Sequence, residues 1–122
     1  WQFDRLLLKN SGMDELISPT MIWVKHMYIK GQIHELMEQH VRRGSKSARR
    51  EELKKLLRFA EWLAQTRPGV SAIDNIGRRH VYEFYEHLVL EGRSETTIYK
   101  YYLAISKLWA AMDRRGSPPE PN

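Results

Sequence analysis

The chain has 122 residues, 42% of them hydrophobic, with 20 Lys and Arg against 15 Asp and Glu, a net charge of +5 and no cysteine. That length makes one domain, able to bury about two thirds of its unfolded surface without a metal or disulfide. The missing cysteines exclude a disulfide scaffold and thiolate chemistry and fit a reducing compartment. A sequence pI of 9.6 favours polyanionic partners. The apolar runs, Leu6 to Leu8 and Met21 to Val24 among them, fall far short of the roughly 20 residues of a membrane span. No secretory leader pattern opens the chain, so a cytoplasmic location is expected, nucleoid-associated if DNA is the partner.

Helical periodicity dominates in chain order. A short helix is expected around Phe3 to Lys9, stopped by Asn10-Ser11-Gly12. Ser18-Pro19 reads as a cap and first helical position for a helix lasting until Gly31, although the β-rich run Met21 to Ile29 also suits a strand. From Gln32, the positions Ile33, Leu36, Met37 and Val41 form a helical stripe closed by Arg42-Arg43-Gly44. The next helix spans about Lys46 to Gln65, striped by Leu53, Leu56, Leu57, Ala60 and Leu63, capped by Ser45 or Ser47 and ended by Arg67-Pro68-Gly69. Val70 to Ile76 reads as a loop with apolar anchors. Gly77 to Leu90 predicts a helix burying Val81, Phe84, Tyr85 and Leu88, and Glu95 to Arg115 another with Ile98, Tyr101, Tyr102, Ile105, Leu108, Trp109 and Met112 on its apolar side. Gly116 and the prolines of the tail then end the fold.

The expected fold is therefore all-α: four main helices in two helical hairpins, with an extra N-terminal helical segment. Residues 1–31 form an extension, 32–116 the domain and 117–122 a Pro-rich linker. A chain starting at Trp1 and ending in that tail reads as a piece of something longer, whose remainder holds any chemistry.

The most informative stretch is Gly92-Arg93-Ser94-Glu95-Thr96-Thr97-Ile98-Tyr99-Lys100. Ser94 suits an N-cap and Glu95 the first turn, while Arg93 and Lys100 flank free backbone N–H groups that attract an anion. Ser45 to Arg50 repeats the basic, hydroxylated helix start, as expected if two helices probe one duplex. Neither hairpin has the tight linkage of a conventional helix-turn-helix. Tyr99 points outward and suits stacking on bases, whereas Tyr101, Tyr102, Trp62 and Trp109 fall on core stripes. His80, Glu83 and His87 share a helical face that would hold a metal only with a further ligand, and read more simply as an exposed face. No metal or other cofactor is expected.

In order and spacing, these elements resemble the N-terminal core-binding, SAM-like domain of tyrosine recombinases, the phage integrase family. Leu53, Leu56, Leu57, Phe59, Trp62 and Leu63 match its "L..F..WL" helix. Ile76, Val81-Tyr82 and Leu88 match "I....V..Y...L". Gly92 to Ile98 with Tyr102, Ile105 and Leu108 match "G.S..TI...L..L". The resemblance covers residues 33–122 and implies a non-catalytic domain gripping one face of duplex DNA in site-specific recombination or integration. It implies self-association on paired sites in the full-length protein, no small-molecule substrate, and a bacterial, phage or plasmid-encoded source.

Carried over by position, Ser47, Arg50 and Lys54 on one helix and Arg93, Thr96, Thr97, Tyr99 and Lys100 at the other are the expected DNA-facing groups. Ser47 and Thr97 suit phosphates; Arg50 and Lys100, one turn in, suit base edges. Ala48-Arg49 departs from the Ser/Thr the family often places there, and Glu51-Glu52 sets acid beside the basic face. His40-Val41-Arg42-Arg43 matches the family's His-x-x-Arg phosphate box, but that box belongs to its C-terminal domain with a late tyrosine nucleophile, so no catalytic role is assigned. The alternative reading is a helical protein interaction or assembly module with an incidental basic face and an exposed patch of Met21, Ile22, Trp23, Met27 and Tyr28. A stand-alone regulator occupying recombination sites is a third.

Overall fold

The structure, a computed structural model, describes residues 19–40 and 46–121. The expected helix at Phe3 to Lys9, the Ser18 and Ser45 caps, the Arg42-Arg43-Gly44 stop and most of the His40 to Arg43 box lie outside the described residues. The described chain is all-helical. Helix α1 spans Pro19–His40, α2 Lys46–Thr66, α3 Arg78–Leu90 and α4 Glu95–Ala111, with a 3-10 turn at Ile73–Asn75.

Helix α1 corrects the expected break at Gly31 and the strand alternative for Met21 to Ile29. Ile22, Ile29, Ile33 and Met37 are buried along one stripe that runs through the glycine. Gly31 is exposed with no atom near its would-be Cβ, so it costs the helix only about 1 kcal/mol of propensity and stops nothing. Ile22 packs on Ala64 near the end of α2, and Lys25 Nζ donates to the Pro68 carbonyl at 2.6 Å. The start of α1 thus sits beside the end of α2, and the pair runs antiparallel. Gln32 Oε1 accepts from the Ile73 amide at 3.0 Å, anchoring the 3-10 turn to α1.

The core draws on all four helices and the 3-10 turn, and its aromatic part lies where α2, α3 and α4 meet. Phe59, Trp62 and Phe84 have ring centroids 4.8–6.4 Å apart, and Tyr101 meets Phe84 edge-on at 5.4 Å. Each such pair adds about 0.5–1.5 kcal/mol beyond area burial. Trp62, Trp109 and Tyr101 are buried, as their stripes require, and Tyr102 is half-buried against the cluster. Arg67 closes α2: its Nε donates to Glu83 at 2.8 Å, its Nη1 to the Thr66 carbonyl at 2.9 Å, and its guanidinium lies 4.5 Å from the Trp62 ring centre.

Helix α4 ends at Ala111, four residues before the expected Arg115. Asp113 takes a left-handed φ of 58°, the amides of Asp113 and Arg114 turn back to the Ala110 and Trp109 carbonyls, and the helix cannot continue. Arg114 then stacks 4.2 Å from the Trp109 ring centre and donates to the Ile76 carbonyl. The proline tail does not simply end the fold; it packs back on α3. Pro118 and Pro119 are buried, Arg78 donates to the Ser117 carbonyl, and the Tyr85 hydroxyl donates to the Pro119 carbonyl at 2.8 Å. Burial pushes the Tyr85 phenol well above its ordinary pKa, which keeps it a donor at any physiological pH.

Candidate nucleic-acid interface

The turn into α4 aims the first basic group. Gly92, at φ 80°, accepts the left-handed conformation that a side chain disfavours. Its amide bonds the Val89 carbonyl and the Arg93 amide the Leu88 carbonyl, a paired closure of α3 that fixes Arg93 immediately beyond it. Ser94 caps α4 as expected: its Oγ accepts from the Thr97 amide at 3.2 Å and donates to Thr97 Oγ1 at 3.1 Å. Thr97 therefore keeps its own hydroxyl proton for an incoming oxygen.

Between α1, α2 and the start of α4 lies an open groove of about 470 Å³. Helix α1 supplies His26 and Lys30 to its wall, and α2 supplies Lys54, Lys55 and Arg58 with Glu51 and Glu61. Arg93 and Thr97 close the third side, over a floor of Leu57 and Tyr101. Five cations thus face two carboxylates. Lys54 pairs loosely with Glu51 at 3.5 Å, both exposed, and Lys55 Nζ lies 5.8 Å from the Tyr101 ring centre. Such exposed pairs hold their charges weakly, so the groove keeps a positive potential. Glu52, the second acid expected to spoil this face, is instead taken by Lys107 of α4.

Of the residues expected from sequence, Lys54, Arg93 and Thr97 meet in this groove. Arg50, one turn before Lys54, lines a separate cleft of about 770 Å³ between α1 and α2 with His34, Lys46, Arg49 and Glu52. Ser47, Thr96 and Lys100 are exposed outside the groove. Tyr99 is exposed but stands about 200° round the helix from Thr97, and its ring meets that of Tyr102 at 5.6 Å. Lys30, Lys55 and Arg58 were not singled out by sequence. Arg58 was within reach, since Arg50, Lys54 and Arg58 form one i, i+4 row on α2. Lys30 comes from the segment that the motifs leave aside, and only the packing of α1 on α2 reveals it.

The His80, Glu83 and His87 face is divided among other partners. His80 Nδ1 accepts from the Gly77 amide at 2.8 Å, Glu83 accepts from Arg67, and His87 Nε2 lies 3.3 Å from Glu91. The Arg67 hydrogen bond holds the Glu83 carboxyl below its usual range. Burial, then the Arg79 charge, holds His80 below the usual histidine value, with Glu83 opposing. Among the described residues no group of three His, Asp or Glu could hold a metal ion.

The model of the phage integrase N-terminal SAM-like domain matches residues 34–116, more than half of the chain. The chain belongs to this family. Membership relates the integrase-type domain to the DNA-binding region of tyrosine recombinases, and the matched region is not their catalytic domain. No curated protein and no solved structure matches the chain significantly. No helix among the described residues of this integrase-type domain is long and apolar enough to cross a membrane.

Proposed function

We propose that this domain grips one face of duplex DNA at a recombination site, as the non-catalytic part of a tyrosine-type integrase or recombinase, with residues 117–122 leading towards a catalytic domain. The observation that carries the reading is the convergence of Lys54, Arg93 and Thr97, predicted from sequence, with Lys30, Lys55 and Arg58 around one groove. Lysines and arginines around a groove neutralise phosphates and release counterions, which gives affinity without sequence information. Arg50, Ser47, Thr96 and Lys100 flank this seat and extend the contact along the duplex; Arg50 and Lys100 remain the groups proposed for base edges.

Fluorescence anisotropy with a labelled duplex of about 30 base pairs, across several salt concentrations, tests this. About five phosphate contacts give a log K against log salt slope near −4 to −5, and Lys54→Ala lowers that slope by about one. Absence of binding at low salt removes the reading. It would leave a protein interaction module, which Trp23, Val24, Met27 and Tyr28 favour, since all four are exposed on α1 while Ile22 is buried. Self-association lost in Trp23→Ala, measured as solution mass, would mark that outcome.

A further inference from the structure

His26 stands half-buried on the α1 wall of the groove, one turn from Lys30 and across from Glu61 on α2. Its Nε2 is shut off from solvent and finds no hydrogen-bond partner among the described residues. Burial first, then the Lys30 ammonium, holds the imidazole below the ordinary histidine value, with Glu61 pulling the other way. The remaining charges on the groove are Lys54, Lys55, Arg58 and Glu51 on α2 and Arg93 ahead of α4, so the groove as a whole is cationic, while Lys30 and Glu61 are the charges that act on the imidazole. The free groove therefore keeps a neutral histidine among cations. A phosphate in the same space opposes that effect: its charge offsets Lys30 and favours the imidazolium.

We propose that the groove is a phosphate seat whose filling protonates His26, so that binding of a DNA phosphodiester takes up one proton from solvent and His26 joins the grip as a cation. This deepens the DNA-binding reading and rests on it. The sign follows from linkage: if the bound state carries more protons, affinity rises as pH falls. It also joins α1 to the interface, through Lys30, whose charge adds to burial in keeping His26 neutral in the empty seat.

The test is anisotropy of the full 122-residue chain on the same duplex between about pH 7.5 and about pH 5.5, with His26→Gln and Lys30→Met beside the parent. Affinity of the parent should rise about fivefold over that interval, within the tenfold per pH unit that one proton allows. His26→Gln should lose this rise, which separates His26 from His34, His80 and His87. Should His26→Gln not fold, Lys30→Met carries the test: the NMR titration of its His26 should move to higher pH in the free protein. An equal rise in parent and His26→Gln overturns the proposal while leaving DNA binding intact. If no duplex binds at any pH, the DNA reading fails, and the His26 titration with and without inorganic sulfate decides the rest. An upward move shows an anion seat that DNA does not use; no move overturns the proposal.

Discussion

Arg67, Arg78 and Arg114 each end on an oxygen of the chain itself, whereas the cations of the three-helix groove meet only a loose Lys54 to Glu51 contact, an aromatic face under Lys55 and a 3.6 Å approach of Arg93 to Glu91 among the described residues. The same residue types do two jobs on the same helices. Where Arg67 and Arg114 close helix ends their hydrogen bonds are partly buried, and where Arg78 holds the tail its bond to Ser117 is exposed; each fills an acceptor within the chain. Around the groove the charges stay solvated, contribute little to folding, and keep their donors for another molecule. Positive charge alone thus does not mark a binding face; the proposed function rests on positive charge without an internal acceptor.

Substitutions on the two sides should separate stability from binding. Arg114→Ala removes the bond to Ile76 and the stacking on Trp109, and should cost about 2 kcal/mol in urea unfolding. Its DNA affinity per folded molecule should not change. Arg58→Ala should show the reverse: unfolding within about 0.5 kcal/mol of the parent, and a salt slope reduced by about one. Loss of stability without loss of binding in Arg58→Ala would erase the distinction.

Gly92→Ala tests the point where folding and aiming coincide. A side chain at φ 80° should cost about 1 kcal/mol and displace Arg93, lowering both unfolding midpoint and DNA affinity. The smallest effect concerns pH. The folded state holds His80 and His26 below their unfolded value of 6.5, so it favours their neutral forms. The stability they contribute is present above pH 6.5 and is lost as pH falls below it. The thermal midpoint should therefore drop on acidification, and less so in His80→Ala, which no longer accepts from Gly77. Acid should weaken the free fold under conditions that tighten its hold on DNA.

Much of this was legible in the sequence. Helices α2 and α3 end within a residue of expectation, because their leucine and aromatic stripes stop at Arg67-Pro68-Gly69 and Glu91-Gly92 and those stops act locally. The start of α4 was legible for the same reason: a serine cap is a contact between neighbours in sequence. What misled were residues whose meaning depends on surroundings. Gly31 breaks a helix only if something exploits its freedom, and here nothing does; Asp113 gives no sign in sequence of a left-handed backbone. The groove divides the same way. Arg93 and Thr97 announce themselves at a helix start and Lys54 by its place in the matched helix, while Lys30 and His26 enter through a packing between segments more than twenty residues apart.

The buried prolines have a last consequence, for how the chain comes apart. Tyr85 and Pro119 are 34 residues apart and Arg78 and Ser117 are 39 apart, so their contacts tie the start and middle of α3 to the stretch beyond α4 and close the second hairpin into a ring. Fraying at the C-terminal end is then opposed by the start of α3. The cooperative unit extends past the last helical residue, and trimming the chain at Gly116 would loosen a hairpin whose two helices are both still present.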